Sequence, residues 1–353
     1  MILKSIKLTD FKNHEDSHFE FNERINCVLG NNGRGKTNLL DAIYFLSFSK
    51  SALSNVDKNA IRFARDSFTI FGKYNSRQIG LQVAKQGGKI IKIDGKQTRK
   101  VSELIGKIPL VMMLPDDTSM IKEGSDERRK FFDAAICQFD TSYLSDLIKY
   151  NRLLKQRNSL LKEWAKNAID LALLDTYDDK LIDLARRISA KRSLVVGHFL
   201  PYLKENYASL HATKELPDLQ FVTHVDDDFG TTFKNSLPKD QIMQRTMMGS
   251  HRDDFLFLLN QEPIKGFGSQ GQQKTFIIAL KFALFDFLKE NTKTTPLLLL
   301  DDIFDKLDDS RISLLVDCLK DQDRFGQIFL SDARSERSKH LFKSHEHVSF
   351  YEL

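Results

Sequence analysis

The run Gly30-Asn31-Asn32-Gly33-Arg34-Gly35-Lys36-Thr37 satisfies G-x-x-x-x-G-K-[ST] at every fixed position. This spacing suits a backbone that must turn its N–H groups inward onto phosphate oxygens, because glycine permits the dihedral angles and the close approach required. Lys36 is then placed to reach the β- and γ-phosphates, and Thr37 offers a hydroxyl to Mg²⁺. The chemistry implied is the binding of a nucleoside triphosphate, with its phosphates at the N-terminus of the helix that follows.

A triphosphate loop needs a metal-holding acid at the end of a neighbouring buried strand. The segment TPLLLLDDIFDKLD supplies one. Leu297 to Leu300 fit a parallel strand covered on both faces, with Asp301 and Asp302 emerging at its C-terminal end. Asp301 is assigned to Mg²⁺, directly or through water. Asp302 is assigned to orienting and deprotonating the attacking water, which makes Lys36, Asp301 and Asp302 the candidate catalytic set.

These residues require particular elements. RINCVL (24–29) reads as a buried strand entering the loop, and Leu39, Leu40, Ile43, Tyr44 and Leu46 recur as an amphipathic helix leaving it. Around them, residues 1–115 look like short strands: 2–8, 18–21, 68–74, 78–84 and 89–93, the last two forming a hairpin. Residues 116–244 change to long helical patterns, and 245–353 return to α/β texture. The loop and the acidic strand thus lie at opposite ends of the chain, so one α/β lobe is assembled from 1–115 and 245–353 around a helical insertion. Residues 216–240 read as loop and strand leading back to the first lobe.

The chain has 353 residues, of which 41% are hydrophobic and 29% charged, with a net charge of +5. That is ordinary for a soluble globular protein with a substantial core, and mildly basic. Three cysteines at scattered positions fit neither a disulfide framework nor a zinc site. MILKSIKLTDF is too short and too charged for a signal peptide, and no apolar run approaches a membrane span. The expected location is the cytoplasm.

Two features of the insertion and its exit stay open on the residues alone. Between 147 and 166, Leu147, Tyr150, Leu153, Leu154, Leu160, Leu161 and Trp164 share one side of a helical wheel, while Arg152, Lys155, Lys162 and Lys166 gather opposite. That stripe is either a solvated face or a rail for phosphates. A second basic cluster is Arg186, Arg187, Lys191 and Arg192. The loop GFGSQGQQK, with Ser269, Gln270, Gly271 and Gln272, either caps the helix after it or meets a phosphate bound elsewhere.

Taken together, these motifs resemble those of the ABC-type ATPases, and nearly the whole chain is similar to the SMC-like RecF family. Gly30 to Thr37 resembles a Walker A loop, Ser269 to Gln272 the signature motif, and Leu297 to Asp302 Walker B. Asp305-Lys306-Leu307-Asp308 resembles the D-loop; LTDFKNHE (8–15), PDDTSMIKEGSDERRKFFD (115–133) and GSHRDDF (249–255) carry the family likeness further. The resemblance implies an α/β ABC-type P-loop ATPase head, a mixed sheet with flanking helices, carrying an inserted, mainly helical second lobe. It implies a homodimer in which ATP is sandwiched between the Walker A loop of one copy and Ser269 to Gln272 of the other. Asn13 falls at the position near adenine and ribose.

The function implied is a recombination mediator: ATP closes the dimer on DNA, and slow, DNA-stimulated hydrolysis opens it. The implied DNA targets are single-strand gaps, single-/double-strand junctions and duplex, and the implied partners are RecR, RecO and, indirectly, RecA. An ATP-binding scaffold, or another ABC-type ATPase with no role at gaps, is the alternative. The usual switch histidine is replaced by Ser331 or Asp332, and Leu53 stands where the family pattern has a basic residue. His251-Arg252-Asp253-Asp254 is read as an internally paired turn joining the two lobes, without a catalytic role.

Overall fold

A computed structural model of the chain describes residues 1–164, 167–210, 215–306, 308–343 and 347–353, the side chains of 305, 306 and 310 excepted. It divides into two compact units, Met1–Asp117 with Ile277–Leu353, and Thr118–Phe276. The return to the first unit therefore comes at 277 and not at 245, inside the helix Gln270–Thr292.

The first unit contains two sheets. One is antiparallel and runs, in spatial order, His14–Glu20, Leu3–Phe11, Ser67–Tyr74, Gln78–Ala84, Gly88–Ile93 and Lys96–Gln97. Its strands alternate buried and exposed residues, as a sheet with one face on the core must. The other is wholly parallel: Val348–Glu352, Ile25–Leu29, Ile328–Asp332, Leu297–Asp301 and Leu110–Met113. Its three central strands are buried at every residue, which is why INCVL, LLLLD and IFLSD read as continuous runs.

The helix Lys36–Phe48 was expected to be amphipathic. It is instead buried nearly all round, with Leu39, Leu40, Ala42, Ile43, Phe45 and Leu46 fully enclosed, because it touches strands of both sheets. Gly72 permits that seat: a Cβ there would lie 2.4 Å from Leu46 Cδ1.

The second unit is built on the long helices Thr141–Trp164 and Leu171–Leu210, with a small antiparallel sheet of Glu262–Pro263, Asp254–Leu259 and Pro217–Val222. The stretch 216–240, expected to be loop and strand, also holds the helix Phe229–Asn235 and the start of Leu237–Met243. Their few buried apolar positions (Phe229, Phe233) are too short a pattern to declare a helix in sequence.

The core of this unit contains Arg157, which is fully buried. Its Nε donates to Asp178 Oδ1 at 2.6 Å, and its Nη1 donates to Asp240 Oδ2 at 2.6 Å and to Thr246 Oγ1 at 2.8 Å. The guanidinium also lies over the Phe233 ring, 4.8 Å from its centroid. Burial raises the Asp178 pKa more than this guanidinium lowers it.

Candidate functional site

The parallel sheet assembles the site. Ile25–Leu29, Ile328–Asp332 and Leu297–Asp301 are adjacent, and their registers pair Leu29 with Asp332 and Ser331 with Asp301. Their C-terminal ends therefore emerge side by side, where open α/β sheets bind ligands. The glycine loop leaves the first, Ser331 and Asp332 end the middle one, and Asp301 ends the third with Asp302 just beyond it.

Gly30, Gly33 and Gly35 all have positive φ, of 143°, 82° and 106°. At Gly35 the φ of 106° favours glycine, and a Cβ would also meet Asn13 Nδ2 at 2.5 Å and displace that side chain. Lys36 is 4% exposed, and its Nζ donates to the carbonyls of Gly30 at 2.8 Å and Asn31 at 3.2 Å. Thr37 Oγ1 donates to Asp301 Oδ1 and Oδ2 at 2.9 and 3.0 Å. A cavity of about 290 Å³ is lined by Asn32, Gly33, Gly35, Lys36, Thr37, Asn38 and Asp302. Asn31 and Arg34 are exposed on the outside of the turn.

Of the two candidate sensors, Ser331 is the one at the site. Its Oγ donates to Asp301 Oδ1 at 2.6 Å and accepts the Asp302 N–H at 3.0 Å, fixing both acids. Asp332 is turned to other work: it accepts from Arg337 Nη2, Ser338 Oγ and the Arg334 N–H, at 2.7, 2.6 and 2.9 Å. Burial raises the Asp301 pKa, opposed by the Ser331 and Thr37 hydrogen bonds and the Lys36 charge. Asp302 has φ 44°, a left-handed turn at the end of the strand.

The Lys12-Asn13-His14 turn is tied to the loop and to the helix that follows it at three points. Asn38 Nδ2 donates to Asn13 Oδ1 at 2.7 Å, His14 Nε2 lies 3.3 Å from the Gly35 carbonyl, and Lys12 Nζ pairs with Asp41 Oδ2 at 2.7 Å. Because a carbonyl only accepts, His14 Nε2 carries the proton in that contact, and burial lowers the pKa of the ring. Asp41 is fully buried and also accepts from Ser51 Oγ and the Ala52 N–H, both at 2.7 Å. Sequence reasoning missed it. The available signal was an acid inside the apolar run LLDAIYFL.

Ser269 to Gln272 belong to the second unit, whereas the glycine loop, Asp301 and Asp302 belong to the first. Ser269 and Gln270 are exposed. The Ser269 N–H donates to Gln272 Oε1 at 2.7 Å, and the Gln272 N–H donates to Ser269 Oγ at 3.2 Å, a reciprocal capping box at the helix start. Gln272 Nε2 further donates to Glu215 Oε1 at 2.8 Å. Asp308 caps the helix Asp309–Lys320, accepting the Arg311 N–H at 3.0 Å. Asp305 lies in the short turn Ile303–Lys306; its side chain and Leu307 lie outside the described residues.

Arg152, Lys155 and Lys162 are exposed along Thr141–Trp164, and Lys166 lies outside the described residues. The cluster at 186–192 is less available. Arg192 is buried between Asp133 and Asp253, Arg187 pairs with Asp146, and Lys191 pairs with Asp140.

The partners described for the His251 to Asp254 run lie within the second unit. His251 Nδ1 is 2.7 Å from Tyr150 OH, with desolvation holding its pKa down at about 4. Asp253 accepts from Ser189, Arg192 and Thr223, and Asp254 binds Arg128 in a fork at 2.8 and 3.0 Å.

The family model described as RecF/RecN/SMC N terminal domain matches residues 2–350. The DNA replication and repair protein RecF of Cytophaga hutchinsonii is 44% identical over 349 residues, covering 98% of this chain and 92% of the relative. That of Flavobacterium johnsoniae is 38% identical over 360 residues, with both chains covered completely. Among solved structures, a recombination mediator protein RecF with ATP aligns with TM-score 0.86 at 30% identity, covering 95% of this chain and 93% of that one. The fold is also shared by an Smc head bound to the C-winged helix domain of ScpA, with TM-score 0.56 at 16% identity over 95% of this chain and 90% of that one. On family match and full-length identity together, the chain belongs to the RecF/RecN/SMC family and, within it, to the RecF group of DNA replication and repair proteins.

Proposed function

We propose that this protein is a slow ATPase whose ATP-bound homodimer clamps DNA at single-strand gaps and single-/double-strand junctions. In this reading it acts with RecR and RecO to assist RecA loading, and hydrolysis releases the DNA. The observation that carries the reading is the convergence of the glycine loop, Thr37, Asp301, Asp302 and Ser331 at neighbouring strand ends. The full-length likeness to ATP-bound RecF supports the nucleotide.

The side chains have separable tasks. Lys36 exchanges its loop carbonyls for the β- and γ-phosphates, while the loop N–H groups fix their oxygens. Asp302 orients the attacking water and accepts its proton. Ser331 is a positioning residue, because it holds the carboxylate of Asp301 and the backbone of Asp302 in one relation.

Thr37 lines the cavity and its hydroxyl donates to the carboxylate of Asp301, a pair of hard oxygen groups that fits Mg²⁺. When bound, Mg²⁺ would neutralise charge on the phosphates. Ser269 would meet the γ-phosphate held by a second copy, its hydroxyl and the helix N-terminus facing the anion.

Lys36→Arg tests the cradle. A planar guanidinium does not replace a compact ammonium there. Losing a charge-assisted hydrogen bond of about 1.5–3 kcal/mol weakens ATP binding by roughly ten- to a hundredfold. Binding of a fluorescent ATP analogue reads this, and binding to gapped DNA with ATP should fall in parallel. Gapped-DNA affinity that ignores both ATP and this substitution would contradict the clamp.

A further inference from the structure

The antiparallel sheet of the first unit turns one face to the core through Ile6, Ile70, Leu81 and Ile91. Its other face is exposed, and the registers set a single row across four strands. Lys7 lies opposite Phe71, Phe71 opposite Gly80, and Gly80 opposite Lys92. At about 4.8 Å between strands, that row is about 14 Å long. Lys73 stands two residues along from Phe71 on the same face, and is exposed like Lys92.

Three properties of this face fit one kind of ligand. First, it is open and, over Ser67–Tyr74, Gln78–Ala84 and Gly88–Ile93, basic; the acids on this side, Asp16 and Glu20 opposite Thr9 and Ser5, stand on the edge strand His14–Glu20. SFTIFGKY, QIGLQVA and GKIIKI contain no acidic residue, and Lys73 and Lys92 form no ion pair among the described residues. Lys7 pairs with Asp16 at 3.4 Å in solvent, a contact of little strength. Second, Phe71 is 40% and Ile90 37% exposed, amid hydroxyl and amide side chains. Third, Gly80 leaves space beside the ring. A Cβ at that position would sit 3.6 Å from Phe71 Cδ2 and 4.0 Å from Lys92 Cβ, so any larger side chain would occupy the gap.

We propose that this face is a platform for single-stranded nucleic acid. One base stacks on Phe71 above Gly80, and Lys7, Lys73 and Lys92 neutralise the phosphates on either side. Stacking on an aromatic ring tolerates any base. A duplex buries the faces of its bases, so the ring discriminates in favour of single strand. The inference rests on the DNA-binding function proposed above and specifies which state of the strand is held, and where.

The test is fluorescence anisotropy of labelled oligo-dT, and of a blunt duplex, with the full-length protein and ATP. Phe71→Ala should weaken oligo-dT binding about tenfold and leave the duplex unaffected. Phe71→Leu, which keeps apolar area without the ring, should act in the same direction. Gly80→Leu should lower oligo-dT affinity with the ring still present. Lys73→Gln combined with Lys92→Gln should reduce the slope of log affinity against log salt by about 1.4 for single strand.

ATP binding, measured on each variant, reports that the fold is kept. Unchanged oligo-dT affinity in Phe71→Ala and Gly80→Leu, with normal ATP-dependent duplex binding, overturns the platform and leaves the proposed function standing. Equal losses on both DNAs also overturn it. Wild-type protein that binds neither DNA with ATP removes both.

Discussion

Asp302→Asn is expected to lower ATP turnover by about a hundredfold or more while leaving ATP binding intact. The substitution is isosteric and removes only the ability to take a proton, and a positioned general base contributes about 10² to 10⁴ in rate. Asp302 lines the cavity with Lys36 and Thr37, and Ser331 fixes its backbone. Asparagine preserves that arrangement, so DNA held through ATP should persist longer, because release has lost its clock. Phosphate release under single-turnover conditions, beside equilibrium binding of an ATP analogue, separates the two effects. A variant that hydrolyses ATP at the wild-type rate would move the base elsewhere. If wild type and variant share the same negligible rate, the protein is a scaffold that ATP assembles.

Arg157→Met is expected to destabilise the second unit by about 3–5 kcal/mol, the cost of leaving buried charges without their partner. Asp178 and Asp240 would both lose the guanidinium. The loss should also depend on pH in a definite direction. Burial raises the Asp178 pKa, and without Arg157 the guanidinium no longer opposes that shift, so the native variant keeps a proton that the unfolded chain gives up. Its stability then falls as pH rises, and the deficit against wild type should shrink towards pH 5. The single tryptophan, Trp164, ends the helix that carries Arg157, so its fluorescence during urea unfolding at pH 5 and pH 7.5 reads the second unit. A deficit below about 1 kcal/mol, as for an exposed ion pair, would contradict the burial argument.

The legible parts of the fold are those where local pattern and tertiary role coincide. The glycine loop, the leucine run ending in two aspartates, and the alternating strands of 67–93 announce themselves because spacing alone dictates their form. The helix after the loop misled, since its polar positions Asp41 and Ser47 look like a solvent face. In fact Asp41 is a buried junction for Lys12, Ser51 and Ala52, and Ser47 Oγ donates to the Ile108 carbonyl at 2.6 Å. Arg157 gave no signal of its own. It sits among basic surface residues in sequence, and the acids that draw it into the core come from 178 and 240, too distant for any local pattern to register. Ser331 became decidable only once strand order placed it between the loop and Asp301. The capping geometry at Ser269 settles how that helix begins and leaves its hydroxyl at an exposed surface, so its proposed ligand is a matter for solution experiments.

Those experiments reduce to sedimentation velocity of wild type and Ser269→Arg, each with and without ATP. The account predicts that ATP converts wild type from monomer to dimer, while Ser269→Arg binds ATP and remains monomeric, because arginine fills the place of the partner's γ-phosphate. Dimerisation of Ser269→Arg with the same ATP dependence as wild type would contradict it.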